Sequence, residues 1–377
     1  MQVLQAVGHS AESADFSSLA SLSPDLVMAF GSVDLLQQAA PALQTSFPNA
    51  IRAGCSTAGE ISGNGVTDGS LVVTAVKFDT VCMEQVSTVL AGMEDSLDAG
   101  RRLAQALPVA GLRAILIFGQ GVQINGSAVL AGMTEVLGST IPITGGLAGD
   151  GGAFSQTRVL DRQGLSSDRL TCVGFYGEKL VLSHGSFGGW SPFGPARKVT
   201  RSEHNVLFEL DGEPALEVYK RYLGEHAKGL PASGLLFPFA MLGSDHSEVG
   251  LIRTILGVDE AQGSLTLAGD IDTNGYLKLM HASTDALVDG AESAALAAKA
   301  TQSFTGPALA LLVSCVGRKL VMGGRVDEEV EAVADVVGKS ATLTGFYSYG
   351  EISPFNHSSE CKLHNQTMTI TVLSETN

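Results

Sequence analysis

A mixed α/β fold is what this sequence predicts: sheets covered by helices, built from repeated strand–helix–turn–strand units in two intimately packed halves. Three observations lead there. Short apolar runs ending in glycine alternate with stretches of helical spacing. The order strand, helix, glycine-rich corner, strand recurs along the chain. And Gly-x-x-x-x-Gly-Glu-Ile-Ser occurs twice, as GCSTAGEIS at 54–62 and GFYSYGEIS at 345–353, near opposite ends of the chain.

The first unit opens with LVMAFGS (26–32), an apolar run that suits a buried strand. VDLLQQAAPALQTSF follows with helical spacing, Ser32 placed as its N-cap and Pro48–Asn49 as its stop. GCSTAGE reads as a corner and LVVTAVKF (71–78) as the next strand. The second unit repeats this with the strand AILIFGQG (114–121), the helix 125–138, the glycine turn 142–152 and the strand LTCVGFYG (170–177). The third has ALALLVSCVG (308–317), the helix 327–338, GFYSYGE (345–351) and QTMTITVL (366–373). Aligned on their ends, the corners read AGE (58–60), AGD (148–150) and YGE (349–351), which matches Glu60 with Asp150 and Glu351, and Cys55 with Gly145 and Phe346. A weaker fourth copy ends in LAGD (267–270), after the strand-like GLLFPFAML (234–242). Between the second and third units lie β-like runs, then the helix DGEPALEVYKRYLG (211–224), which marks the boundary between halves. A further helix covers 292–304.

Composition narrows the functional classes. With 45% hydrophobic and 16% charged residues the chain can build a substantial core. Its 45 glycines imply many tight turns or close backbone approaches. A net charge of −16 argues against nucleic acid and anionic membranes as partners. Five cysteines without a CxxC pair argue against a disulfide framework or structural zinc, and the lack of CxxCH against covalent haem attachment. The N-terminus has no basic segment followed by an apolar one, and no apolar run reaches the ~18 residues of a spanning helix, so the expected location is cytoplasmic.

Several residues could carry chemistry. The glycine corners follow a helix and lead to a strand, the reverse of a phosphate-cradling loop. Glu60, Asp150 and Glu351 either line a shared cleft or accept hydrogen bonds from their own turns. Cys55 is either a nucleophile or a small buried thiol. Among eight histidines none forms HxxxH. His184 ends the strand LVLS and opens a loop with Phe187, Trp190 and Phe193, where an imidazole could sit beside flat rings. His364 enters the last strand close to the GEISPF corner. Each histidine is otherwise a hydrogen-bonded structural residue.

The segments GCSTAGEI, GGLAGDGG, GGWSPFGP, FELDGEPALEVYKRYLG, GLLFPF, GFYSYGEISP and LHNQTMT together resemble the FIST family, over about residues 26–373. The resemblance implies an N-terminal FIST domain at 1–213, a C-terminal one at 214–377, and a bacterial sensory protein rather than an enzyme. A chain of both domains with no attached kinase or cyclase looks like the nitric-oxide sensors called NosP. That likeness implies a non-covalent haem b with an axial histidine and, as partner, a histidine kinase or a cyclic-di-GMP enzyme. From local context the candidate haem residues are His184, His364, Trp190 and Phe193, with either histidine as metal ligand. The alternative is a metal-free sensor of a small metabolite such as an amino acid, its pocket where the corners of the two halves meet, at Gly59, Glu60, Gly350 and Glu351.

Overall fold

The computed structural model describes residues 1–10, 16–301, 306–355 and 360–376. It resolves the repeat into three units. The first runs β1 (Gln2–Gly8), α1 (Ser17–Ser21), β2 (Leu26–Gly31), α2 (Val33–Ser46), β3 (Ile51–Ser56), the hairpin β4 (Glu60–Ser62) and β5 (Gly65–Thr67), and β6 (Leu71–Lys77). The second runs β7 (Cys82–Val89), α3 (Ser96–Ala106), β8 (Leu112–Gly119), α4 (Gly126–Leu137), β9 (Ile143–Leu147), the hairpin β10 (Val159–Asp161) and β11 (Gly164–Ser166), and β12 (Arg169–Tyr176).

The third unit starts with β13 (Leu180–Phe187) and is interrupted by an inserted body. That body holds β14 (Ser191–Pro192), β15 (Arg197–Glu203), β16 (Val206–Leu210), β17 (Glu213–Pro214), α5 (Ala215–Leu223), β18 (Phe239–Leu242), β19 (Glu248–Arg253), β20 (Ile255–Asp259), β21 (Ser264–Leu267) and β22 (Tyr276–His281). The unit resumes with α6 (Thr284–Thr301), β23 (Ala308–Cys315), α7 (Val316–Met322), α8 (Asp327–Val337), β24 (Ala341–Ser348), the hairpin β25 (Gly350–Pro354) and β26 (Cys361–His364), and β27 (Met368–Glu375).

Every unit places a parallel pair at its centre: β2–β3, β8–β9 and β23–β24. A parallel pair needs a crossover, and the amphipathic helices supply it. Ser32 caps α2 by accepting from the Leu35 N–H, and Asn125 caps α4 through the Ala128 N–H. The antiparallel strands β6, β12 and β27 flank the pairs, with β1, β7 and β13 outside them. The hairpins are exchanged between units in a cycle. The first unit's hairpin joins the third sheet beside β24, the second's joins the first beside β3, and the third's joins the second beside β9. Three six-stranded sheets result, with the inserted body forming a fourth. Phe30, Phe118 and Phe346 meet at the junction, in a core drawn from all three units.

This arrangement explains the recurrent glycine. On Gly54, Gly145 and Gly345 a Cβ would lie 2.0, 2.0 and 1.8 Å from the carbonyl oxygens of Ala29, Ile117 and Leu312 on the parallel neighbour. All three have positive φ, so the backbone conformation and the contact both demand glycine.

The pairing also revises several expectations. GCS and GFYS are strand, and only the residues just after them turn. Glu60 faces Phe346 and Glu351 faces Gly146, whereas the residue facing Cys55 is Val159. The structural counterpart of the two glutamates is therefore Val159, not Asp150. Asp150 belongs to a longer loop that the end-to-end alignment could not see. By the same register Cys55 corresponds to Gly146 and Phe346. LAGD belongs to the inserted body, beside β21, and is not a fourth corner. That body spans 191–281. The helix expected over 292–304 begins at Thr284, and 302–304 lie outside the described residues. His184 sits within β13 rather than ending a strand. Among the described residues no helix is long and apolar enough to cross a membrane.

One buried ion pair ties the third unit together. Arg318 on α7 meets Glu329 on α8 at 2.8 Å, both side chains fully buried. The Ser314 and Tyr347 hydroxyls donate to Glu329, and Arg318 donates to the Gly188 and Leu287 carbonyls. Every charge has partners, which makes such a pair tolerable at this depth.

Candidate functional site

The first corner opens on a cavity of about 640 Å³ at the seam of the units. Gly59, Glu60 and Asp150 line it together with Ser32 at the start of α2 and Lys319 on α7. The Lys319 ammonium donates to the Ala58 carbonyl at 2.9 Å, pairs with Asp68 and lies over the Tyr347 ring. Glu60 is 1% exposed and accepts from the Thr57 hydroxyl and from the N–H and hydroxyl of Ser70. Burial raises its pKa against those hydrogen bonds. For Asp150 burial acts upward too. The Gln156 N–H, the Tyr349 hydroxyl and the N–H groups of Ser155 and Phe154 outweigh it and hold the carboxylate below its usual range.

The third corner repeats the pattern, and here the glutamate itself lines neither this cavity nor a second one, although its partner Thr367 lines the latter. Glu351 is fully buried and accepts from the Ser348 hydroxyl and from the N–H and hydroxyl of Thr367. Burial pushes its pKa up to about 8. Gly350 and Glu351 do not line the first cavity with Gly59 and Glu60, although β4 pairs with Phe346 of the third corner, because the chain leaves that sheet at β25 for the second. Both glutamates therefore act first as acceptors for their own corners. Cys55 is fully buried and its thiol pKa is raised well above the ordinary value by burial, the profile of a packed side chain.

A second cavity, about 360 Å³, lies between the loop after β13, the sheet of the inserted body and the start of the last strand. Here the structure brings two predicted residues together: Trp190 and His364 both line it, with Phe187, Met280, Phe355 and Lys278. The Trp190 indole donates to the Gln366 carbonyl at 2.8 Å, which fixes the ring. His364 is 2% exposed, with Nε2 at 3.1 Å from the Ser353 carbonyl. A carbonyl only accepts, so Nε2 carries the hydrogen and Nδ1 the lone pair. Burial, then Arg253 and His184, lower its pKa to about 4, so the ring is neutral near pH 7. His184 is close enough to exert that effect and shares a face of β13 with Ser186, but it does not line the cavity. Phe193 is elsewhere, packed edge-on against Phe237 and His281.

The sequence reading missed Lys319, Asp68 and Ser32 at the corner cavity, since nothing local marks α7 as a neighbour of the first corner. It missed Lys278 and Phe355 because strands of the inserted body reach His364 only through tertiary packing. Among the described residues no group of three or more His, Cys, Asp or Glu is arranged to hold a metal ion.

Comparison with known proteins gives the family. Residues 25–213 match the FIST N domain and residues 215–354 the FIST C domain. An uncharacterized protein of Methanocaldococcus jannaschii is 37% identical over 97 residues, 25% of this chain and 19% of that protein; the match thus spans about a fifth of that relative's length. Among solved structures, cyanuric acid hydrolase from A. caulinodans aligns over 100% of this chain and 99% of its own at 9% identity and a TM-score of 0.38. A second cyanuric acid hydrolase structure aligns over 100% of both chains at 10% identity and a TM-score of 0.34. Likeness that distant carries no argument about chemistry. With both domain matches covering most of its length, the chain belongs to the FIST family, whose domains are small-ligand sensors of signal transduction.

Proposed function

We propose that this chain is a haem-based nitric-oxide sensor that regulates a partner histidine kinase or cyclic-di-GMP enzyme, with haem b held non-covalently at the His364 cavity. One observation carries the reading: a neutral, buried imidazole whose Nε2 hydrogen is committed to the Ser353 carbonyl, on the wall of a cavity shared with a fixed indole. That is how proteins orient a metal-binding histidine, with one nitrogen held by an acceptor and the other left basic.

His364 would hold the iron through Nδ1, the nitrogen not committed to Ser353. Trp190, Phe355 and Met280 supply apolar wall, and Lys278 supplies a cation for a propionate group. Bound haem would supply an iron that takes nitric oxide. The protein's own part is mechanical. Ser353 lies on β25, in the GEISP corner, and β25 pairs with β9 of the second unit. A change in the ring's orientation therefore pulls on a hairpin shared by two units, and a partner that distinguishes the two hairpin positions reads the signal. The test is reconstitution of the purified chain with haem, followed by reduction and addition of nitric oxide. A stoichiometric Soret band that shifts with nitric oxide is expected. A chain that takes up no haem would overturn the reading.

The corner cavity favours a second reading, a metal-free sensor of a small metabolite. Its position at the seam between the first and third units, with Lys319 from one and Gly59 and Glu60 from the other, suits a ligand that couples the halves. This reading expects saturable thermal stabilisation by a metabolite, weakened in Lys319→Ala, with no haem retained.

A further inference from the structure

We infer that the cleft between α4 and the β19–β26 edge is a binding site for a small monocarboxylate, anchored by Arg253. The cleft is about 490 Å³ and adjoins the second cavity at Leu251, which lines both. Among the described residues three arginines are buried: Arg52, which gives Nη1 and Nη2 to the Phe47 and Arg162 carbonyls, Arg253 and Arg318. Arg318 has its carboxylate, Glu329. Arg253 is 4% exposed, yet among the described residues no carboxylate oxygen lies within 4.0 Å of its guanidinium. Its hydrogen bonds go only to backbone carbonyls: Nε to Asp270 at 3.1 Å, Nη1 to Ile252 and Leu363 at 3.2 Å. Among the described residues Nη2 makes none. The Asp270 charge acts on this guanidinium from beyond 4.0 Å without outweighing its burial, and Nη2 is left to receive an anion.

A second group converges on the same point. The Ser127 hydroxyl is buried without a hydrogen-bond partner. A Cβ on Gly269 would lie 3.0 Å from Ser127 Oγ and 3.1 Å from Arg253 Nε and Cζ. Both groups thus crowd Gly269, too closely for a side chain there, and both line the cleft. Ser127 also lies in the first turn of α4, twelve residues long, whose N-terminal end favours negative charge.

The remaining charges select the ligand. Lys362 is paired with Glu360, and Glu135 with Arg101. The Asp270 carboxylate accepts from Asn125 and lines the cleft, so it opposes a second negative charge. A single guanidinium with the Asp270 carboxylate nearby suits a monoanion better than a phosphate dianion. Leu130 and Leu251 on the wall suit a short aliphatic tail.

The experiment is thermal unfolding of the full chain titrated with sodium butyrate, against sodium chloride and sodium phosphate at matched ionic strength. A saturable rise in Tm with butyrate alone is expected. Ser127→Ala should weaken the response about threefold to tenfold, the worth of one hydrogen bond. Arg253→Lys, which keeps the charge but loses the fork, should weaken it further. If that variant does not fold, Ser127→Asp decides: its carboxylate would pair with Arg253 and abolish the response. No saturable butyrate effect, equal effects of chloride or phosphate, or an unchanged response in Ser127→Asp would each overturn the assignment.

Discussion

The two GEIS corners have the same sequence pattern and the same hydrogen bonds, and they sit in different surroundings. At the first, Glu60 is held by Thr57 and Ser70 on the wall of a cavity. At the third, Glu351 is held by Ser348 and Thr367 and sealed from solvent. The pattern is therefore a folding device, an acceptor that satisfies the turn before the exchanged hairpin. What makes the first corner a candidate site is the neighbour hairpin exchange brings to it: α7, with Lys319.

Loss of the acceptor should separate the corners most. Glu351→Ala strands two hydroxyls and an N–H in a sealed site, and is expected to cost about 3–5 kcal/mol. Glu60→Ala strands the same set beside a cavity that admits water, and should cost about 1–3 kcal/mol. Denaturant titration measures both, and equal costs would break the comparison. The glycines should not separate the corners. Gly54→Ala and Gly345→Ala each drive a Cβ into a backbone carbonyl and are expected to cost about 3 kcal/mol alike.

Titration sharpens the contrast. Glu351 has a folded pKa of about 8 against an ordinary 4.5, so between those values the folded state holds a proton that the unfolded state has lost. This contribution is fully present below pH 4.5 and is lost as pH rises through 8. Glu351→Gln should make the stability curve flatter over that window, measured as denaturant midpoints at several pH values, and more so than Glu60→Gln. The smallest effect on stability belongs to Lys319→Ala. Its partner Asp68 is exposed, so the change should stay within about 1 kcal/mol.

Much of this was legible in the sequence. LVMAF, AILIF and ALALLV are read as buried strands because parallel strands are covered on both faces, and Ser32 and Asn125 announce their helices. The repeat was visible through its glycines, whose cause is a close approach repeated three times. What stayed hidden depends on contacts distant in sequence. Aligning AGD with AGE matched Asp150 to Glu60, because the loop that moves the counterpart to Val159 leaves no mark on the alignment. Hairpin exchange separated Glu351 from Glu60 although their motifs match. At the candidate haem site, His364 and Trp190 were legible as an imidazole and an aromatic loop. The reason to prefer His364 over His184, its place on the cavity wall, arises only in the fold.

That preference is tested most directly by haem titration of the reduced chain, comparing His364→Ala with His184→Ala by Soret absorbance. The account predicts that His184→Ala keeps a stoichiometric, nitric-oxide-responsive band and that His364→Ala loses it. A band lost in His184→Ala and kept in His364→Ala would contradict it.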